Sequence, residues 1–176
     1  MKYFDELRKS MNWLAEQEDT IFIGQGVIDG GVFMSGTLDD VPIEKKVEWP
    51  VTEQMQAGAS IGLAIGGYTC ISLFPRHNFL LLAMSELVNV LDKFPELTDG
   101  GAFPHVIIRT AVGTTKPIYP GVQHAGDFLE AFKKLLTTIE IIDLKEAKDI
   151  FPAYKYAYNK KGATLISEYG NFYAEK

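Results

Sequence analysis

Apolar positions along the chain alternate between two periods. Phe4, Leu7, Met11 and Leu14 recur at three- and four-residue spacing, which predicts an amphipathic surface helix over residues 1–18. "TIFIG" at 20–24 is a short β-rich run ending in glycine, and a Gly-rich loop follows over 24–37. "KKVEW" at 45–49 predicts a second short strand before Pro50, and 53–66 reads as a helix of small and apolar residues. "YTCISLF" at 68–74 is a buried strand, and 77–94 is helical by length and pattern. "HVIIRT" at 105–110 is a strand, leading into a long loop over 111–125 with Gly113, Pro117, Pro120 and Gly121. A helix "GDFLEAFKKLL", a strand "IEIID", a helix "LKEAKDIFPAYKYAYN" and a strand "ATLISEYG" complete the chain. Pro152 in the last of these helices predicts a kink or a restart.

Strands alternate with helices throughout. That pattern predicts one three-layer α/β domain over 1–176, with a mainly parallel sheet covered by helices on both faces. In such sheets ligands bind beyond the carboxyl ends of the strands. Those ends lead to the loop 24–37, the segment 49–53, the turn 74–79 and the loop 111–125. Glu53, His77 and His124 lie in them.

Composition narrows the class. A net charge of -6 and the absence of a basic run argue against a nonspecific nucleic-acid binder. The single cysteine, Cys70, excludes an intrachain disulfide framework and Cys-rich metal sites; in an apolar strand it is most simply a core residue. No apolar run reaches membrane length, and the first residues are amphipathic with acids, unlike a signal peptide. The expectation is a soluble cytoplasmic protein. "GQGVIDGG" departs from G-x-G-x-x-G at Asp29, there is no P-loop and no G-x-S-x-G, and the three histidines lack metal-ligand spacing. A flexible glycine loop is the better reading of 24–37.

Two readings stand for each candidate. Glu53 is either an exposed first-turn acid favoured by the helix dipole, or a buried carboxyl with a purpose. His77, at a strand-to-helix turn, is either a structural histidine or a ligand contact. His124 sits in a loop whose length and Gly/Pro content suit function or mobility.

The order of motifs carries more than any one of them. A strand, a Gly loop with "GVF", and then "WPVTEQMQAGASIGLAIGG" resemble the pyrimidine-binding domain of thiamine-diphosphate enzymes of the transketolase group. The beta subunit of the 2-oxoacid dehydrogenase decarboxylase component is the nearest pattern; there the segment reads T-P-I-S-E or T-P-L-C-E-Q. "LFPRHNF" is similar to the family's aromatic turn E-F-M-T-F-N-F, "HVIIRT" to its strand ending in Arg, "GVQH" to its G-x-Q-H, and "ATLISEYGNFY" to its closing V-V-L-E-N. The resemblance spans about 20–173, in order.

The resemblance implies the thiamine-diphosphate-binding fold and a role for Glu53 as partner of the aminopyrimidine nitrogen N1′. It implies Phe79, with Phe74, packing on the pyrimidine, and His124 meeting substrate or a substrate-bearing lipoyl arm, with His77 in the same place more weakly. Gln25 stands where the family usually has an acid near the cofactor, and His77 where it usually has Phe or Tyr. No G-D-G occurs. The expectation is therefore a stand-alone domain that needs a separate diphosphate-binding subunit to hold Mg²⁺, in a homodimer or α2β2-like assembly. The implied activity is that of a split 2-oxoacid decarboxylase/dehydrogenase or transketolase-type transferase acting on a small carbonyl substrate. The competing expectation is a non-catalytic binding or assembly module that kept the fold.

Overall fold

A computed structural model describes residues 1–31, 33–116 and 119–174. Val32 of "GVF" and Pro117 of the 111–125 loop lie outside the described residues.

The first helix, α1 (Tyr3–Ala15), buries Leu7, Met11 and Leu14 of the face its periodicity marks, with Tyr3 fully buried beside them and Phe4 half-buried. Strand β1 (Thr20–Gly24) follows, then a 3-10 turn within the Gly-rich loop (Met34–Leu38), then β2 (Lys46–Glu48). Helix α2 (Glu53–Ile65) starts after Pro50 and ends on a glycine pair. Gly67 takes φ +101°, and Tyr68 N–H donates to Leu63 O at 3.1 Å, a Schellman closure. Strand β3 (Thr69–Phe74) returns to the sheet.

The helix expected over 77–94 is broken. It runs as α3 (His77–Leu80), a 3-10 turn (Leu81–Ala83), α4 (Met84–Glu86) and a π turn (Leu87–Leu91), with α5 (Phe94–Leu97) beyond. The break turns Asp92 inward. Its Oδ1 accepts N–H bonds from Thr137, Thr138 and Ile139 at 2.8, 2.7 and 3.0 Å. Against the cost of burial, these bonds hold its carboxyl well below the usual carboxylate range.

Strand β4 (Val106–Val112), helix α6 (Leu129–Leu135), β5 (Glu140–Asp143), α7 (Ala147–Asn159) and β6 (Thr164–Tyr169) follow. The restart considered at Pro152 does not occur. The proline forfeits one early hydrogen bond, and Ile150, Tyr154 and Ala157 remain packed on α1, so the helix continues through it.

Among the described residues the six strands are all parallel, in the order β2-β1-β3-β4-β6-β5. Side chains alternate across the sheet with period two. Phe22, Ile71, Leu73, Ile107 and Ile166 face α1 and α7. Ile23, Cys70, Phe74, Ile108 and Leu165 face α2, the broken 77–91 helix and α6. Among the described residues no helix is long and apolar enough to cross a membrane.

Candidate functional site

The strand order reverses at β1, whose neighbours are β2 on one side and β3 on the other. At such a reversal the connections leave on opposite sides, and a crevice opens between the strand ends. Trp49 N–H donates to Gly24 O at 2.9 Å, which keeps the segment after β2 alongside the end of β1. Glu53 then starts α2 next to Gln25, the residue after β1. The Gln25 amide Nε2 donates to Glu53 Oε1 at 3.3 Å. Glu53 is 5% exposed, so it is a first-turn acid but not an exposed one. The Gln25 amide is its only hydrogen-bond partner among the described residues.

Glu48, at the end of β2, was not singled out from the sequence. Its carboxylate accepts from Gly26 N–H at 2.6 Å and Ile28 N–H at 3.0 Å. Two amides that a phosphate could use in a glycine loop are thus occupied by the chain itself, in line with the failure of the dinucleotide pattern. No local signal distinguishes Glu48 from other surface acids, since its partners lie some twenty residues away.

The opposite wall follows β3. Phe74 is a correction: as the last strand residue it points into the core beside Ala57 and Leu80, and no face of its ring is open. His77 is another. It is fully buried, with Nε2 on Ser167 Oγ at 2.9 Å and Nδ1 accepting Phe128 N–H at 3.1 Å. Burial pushes its pKa down to about 4. Both ring nitrogens are engaged within the fold, so His77 has no free one for a ligand.

Phe79 and His124 do come together. Their ring centroids are 5.4 Å apart at 64°, and both are half-buried. A Cβ on Gly113 would meet His124 O at 2.1 Å, so only glycine lets the His124 turn close on the end of β4. His124 Nδ1 is buried without a hydrogen-bond partner among the described residues. Arg76, also missed, donates to His124 O at 3.2 Å and lies over the Phe33 ring with Cζ 4.9 Å from the centroid.

A second charged centre lies within the sheet. Arg109 and Glu168 are both fully buried and paired through two bonds, Nε–Oε1 at 2.7 Å and Nη2–Oε2 at 2.9 Å. The hydroxyls of Tyr154 and Tyr173 also donate to Glu168. Arg109 Nη1 donates to Thr37 at 3.0 Å, which ties the Met34–Leu38 turn of the Gly-rich loop to β4. Despite its burial, the neighbouring carboxylate keeps Arg109 protonated, well above its ordinary pKa.

No protein-family model matches the chain. Solved structures do. A chain of split-gene transketolase, described as an inactive beta4 tetramer, superimposes with a TM-score of 0.73 over 97% of this chain and 52% of that one, at 16% identity. The chain shares the transketolase-like fold. Benzoylformate decarboxylase from Polynucleobacter necessarius also shares this fold, with a TM-score of 0.66 over 98% of this chain and 33% of that one, at 13% identity. In sequence, the chain is similar to the mitochondrial pyruvate dehydrogenase E1 component subunit beta. It is 27% identical to that of Caenorhabditis elegans over 128 residues, 70% of this chain and 36% of the relative. It is 29% identical to that of Saccharomyces cerevisiae over 118 residues, 65% of this chain and 32% of the relative. The chain therefore spans about a third of the length of the curated relatives it matches.

Proposed function

We propose that this chain supplies the aminopyrimidine half of a thiamine-diphosphate site, with Glu53 as the carboxyl that bonds ring nitrogen N1′. The observation that carries this reading is Glu53 itself. It is 5% exposed, at the strand-order reversal, with one neutral amide as its partner. A carboxyl taken out of water with so little compensation is costly unless a ligand completes its bonding. A ring nitrogen that shares its proton does so. Phe79, beside His124, offers the half-open aromatic edge for the ring, a contact that Phe74 and His77 are too buried to make. His124 stays the candidate for contact with the carbonyl substrate.

Bound thiamine diphosphate supplies a carbon nucleophile and an electron sink for making or breaking a bond next to a carbonyl. Within this chain Glu53 holds and exchanges the proton at N1′, Gln25 orients its carboxyl, and the wall made by Phe79 and His124 excludes water. The diphosphate and Mg²⁺ are held elsewhere, by a separate subunit carrying G-D-G and a downstream Asn. Substrates are 2-oxoacids or ketoses. The relatives, a subunit beta and a split-gene enzyme, support an assembly of more than one chain.

A second copy is also part of this reading. Helix α2 leaves Met55, Gly58, Gly62 and Ile65 exposed along one stripe. A Cβ on Gly58 or Gly62 would meet nothing within 4 Å inside the chain. Glycine in mid-helix is unfavourable by roughly 0.5–1 kcal/mol, so two open ones on an apolar stripe suit the close approach of another chain. The test is calorimetric titration of thiamine diphosphate and Mg²⁺ into the chain with and without a diphosphate-binding subunit. Glu53-dependent binding that needs the subunit supports the reading; the same binding by Glu53→Ala removes it.

A further inference from the structure

The chain contains three arginines. Arg8 is paired with Asp40 on the surface, and Arg109 is clamped by Glu168 in the core. Arg76 alone has no carboxylate partner among the described residues. It is half-buried directly beyond β3, at the same end of the sheet as Glu53 and one strand over from Gln25. Its two contacts are neutral, the carbonyl of His124 at 3.2 Å and the face of Phe33 at 4.9 Å. Neither carries a charge to offset the loss of water around a guanidinium, and burial accordingly lowers its pKa. Leucine or methionine would cover Phe33 without that cost. A guanidinium is a planar fork, the geometry that takes a carboxylate or phosphate through two parallel bonds.

The loops that deliver these groups are joined at this point. Phe33 belongs to the Gly-rich loop after β1, Arg76 to the turn after β3, and His124 to the loop after β4. The backbone amides of Gly26 and Ile28 are already held by Glu48, so they do not compete for an anion. Of the three arginines, Arg76 is the one left for an anion.

We propose that Arg76 is the oxyanion-binding residue of the Glu53 crevice, where it takes the carboxylate or phosphate group of the substrate. The inference rests on the crevice being a substrate site and narrows that substrate to an anion. It places Arg76 as a binding and specificity residue, with no part in proton transfer.

The experiment is a titration of the full chain labelled with ¹³C at the arginine Cζ positions, which do not exchange with water. Pyruvate and inorganic phosphate are added separately, at ionic strength matched with sodium chloride. The expected result is a saturating shift of the Arg76 Cζ resonance, with Arg8 and Arg109 unmoved. Arg76→Gln removes the response, and Arg76→Lys weakens binding about tenfold or more because the fork is lost. Thermal melts of Arg76→Gln and Arg76→Met establish that the fold persists. Tighter saturation by pyruvate assigns a carboxylate, and tighter saturation by phosphate a phosphorylated substrate. A linear drift shared with Arg8, or saturation that survives Arg76→Gln, overturns the proposal. Saturation at Arg76 in a chain that never binds thiamine diphosphate, with any partner, would leave this inference standing and remove the cofactor reading. Glu53-dependent cofactor binding without an Arg76 response would remove this inference alone.

Discussion

Gln25 holds Glu53 from across the strand-order reversal, its amide 3.3 Å from the carboxylate oxygen Oε1. The two are 28 residues apart and meet because β1 and β2 are adjacent and parallel. An amide at this position donates a hydrogen bond where an acid, the residue the family pattern usually carries, would set a second carboxylate against the first. Gln25 therefore donates to Glu53 where an acid would oppose it.

Replacing Glu53 with Gln conserves shape but removes the exchangeable proton. In the reconstituted assembly, turnover should fall by roughly 10²–10⁴-fold, the range for a lost general acid–base group. Melting should shift little. Steady-state kinetics with added thiamine diphosphate and Mg²⁺ tests this, and near-normal turnover would mean that the carboxyl is not the activating group.

His77 makes stability depend on pH. Its folded pKa of about 4 lies below the ordinary 6.5, because burial disfavours the charged ring. Between those values the unfolded chain binds a proton that the folded chain refuses. Its contribution is full above about pH 6.5 and is lost as pH falls toward 4, on the order of 3 kcal/mol across the window. His77→Phe should flatten that part of the profile. At pH 7.5 it should also cost about 1–3 kcal/mol, because Ser167 Oγ and Phe128 N–H lose their partner. Urea midpoints at pH 7.5 and 4.5 test both; equal slopes for the two proteins would refute the assignment.

Breaking the Arg109–Glu168 pair should be among the most damaging single changes. Glu168→Gln leaves a guanidinium in the core without its counter-charge, which typically costs about 3–5 kcal/mol. For a chain of this size that is a fall in Tm of about 10 °C. Because Arg109 also holds Thr37, the Gly-rich loop should loosen as well, visible as faster amide exchange over 34–38. A melt within a degree or two of the parent would contradict the buried pair.

Helix α2 tests self-association. Gly58→Ala should raise the stability of the isolated fold by about 0.5–1 kcal/mol, since its Cβ meets no atom of the chain. Gly62→Arg should leave the fold intact and push sedimentation toward monomer. A parent chain that sediments as a monomer at high micromolar concentration would argue against a role for this stripe.

The purified chain alone should bind thiamine diphosphate weakly. Arg76 has no carboxylate partner among the described residues, but it is a single guanidinium, and the amides of Gly26 and Ile28 are taken by Glu48. A ring contact and one carboxyl contribute a few kcal/mol before the entropy of association is subtracted. Micromolar binding without a partner subunit would show that the diphosphate site lies on this chain.

The sequence by itself determined the layered α/β plan, the order of strands along the chain, and the start of α2 at Glu53. Apolar alternation, helix period and glycine punctuation are local, and local spacing is enough to say which segments must be buried and in what form. It also placed Gln25, Phe79 and His124 at the carboxyl end of the sheet. Only the tertiary structure decided which polar groups are partnered. His77 meets Ser167 over 90 residues, Arg109 meets Glu168 over 59, and Glu48 reaches back to Gly26 over 22. Each pairing is created by the strand order β2-β1-β3-β4-β6-β5, which no local pattern encodes. The same holds for the two phenylalanines: strand alternation turns Phe74 into the core, and the turn after β3 leaves Phe79 half-open against His124. Arg76 reads as an ordinary turn residue until the fold surrounds it with neutral groups, because the energetic cost of a charge depends on what packs around it and not on what precedes it in the chain.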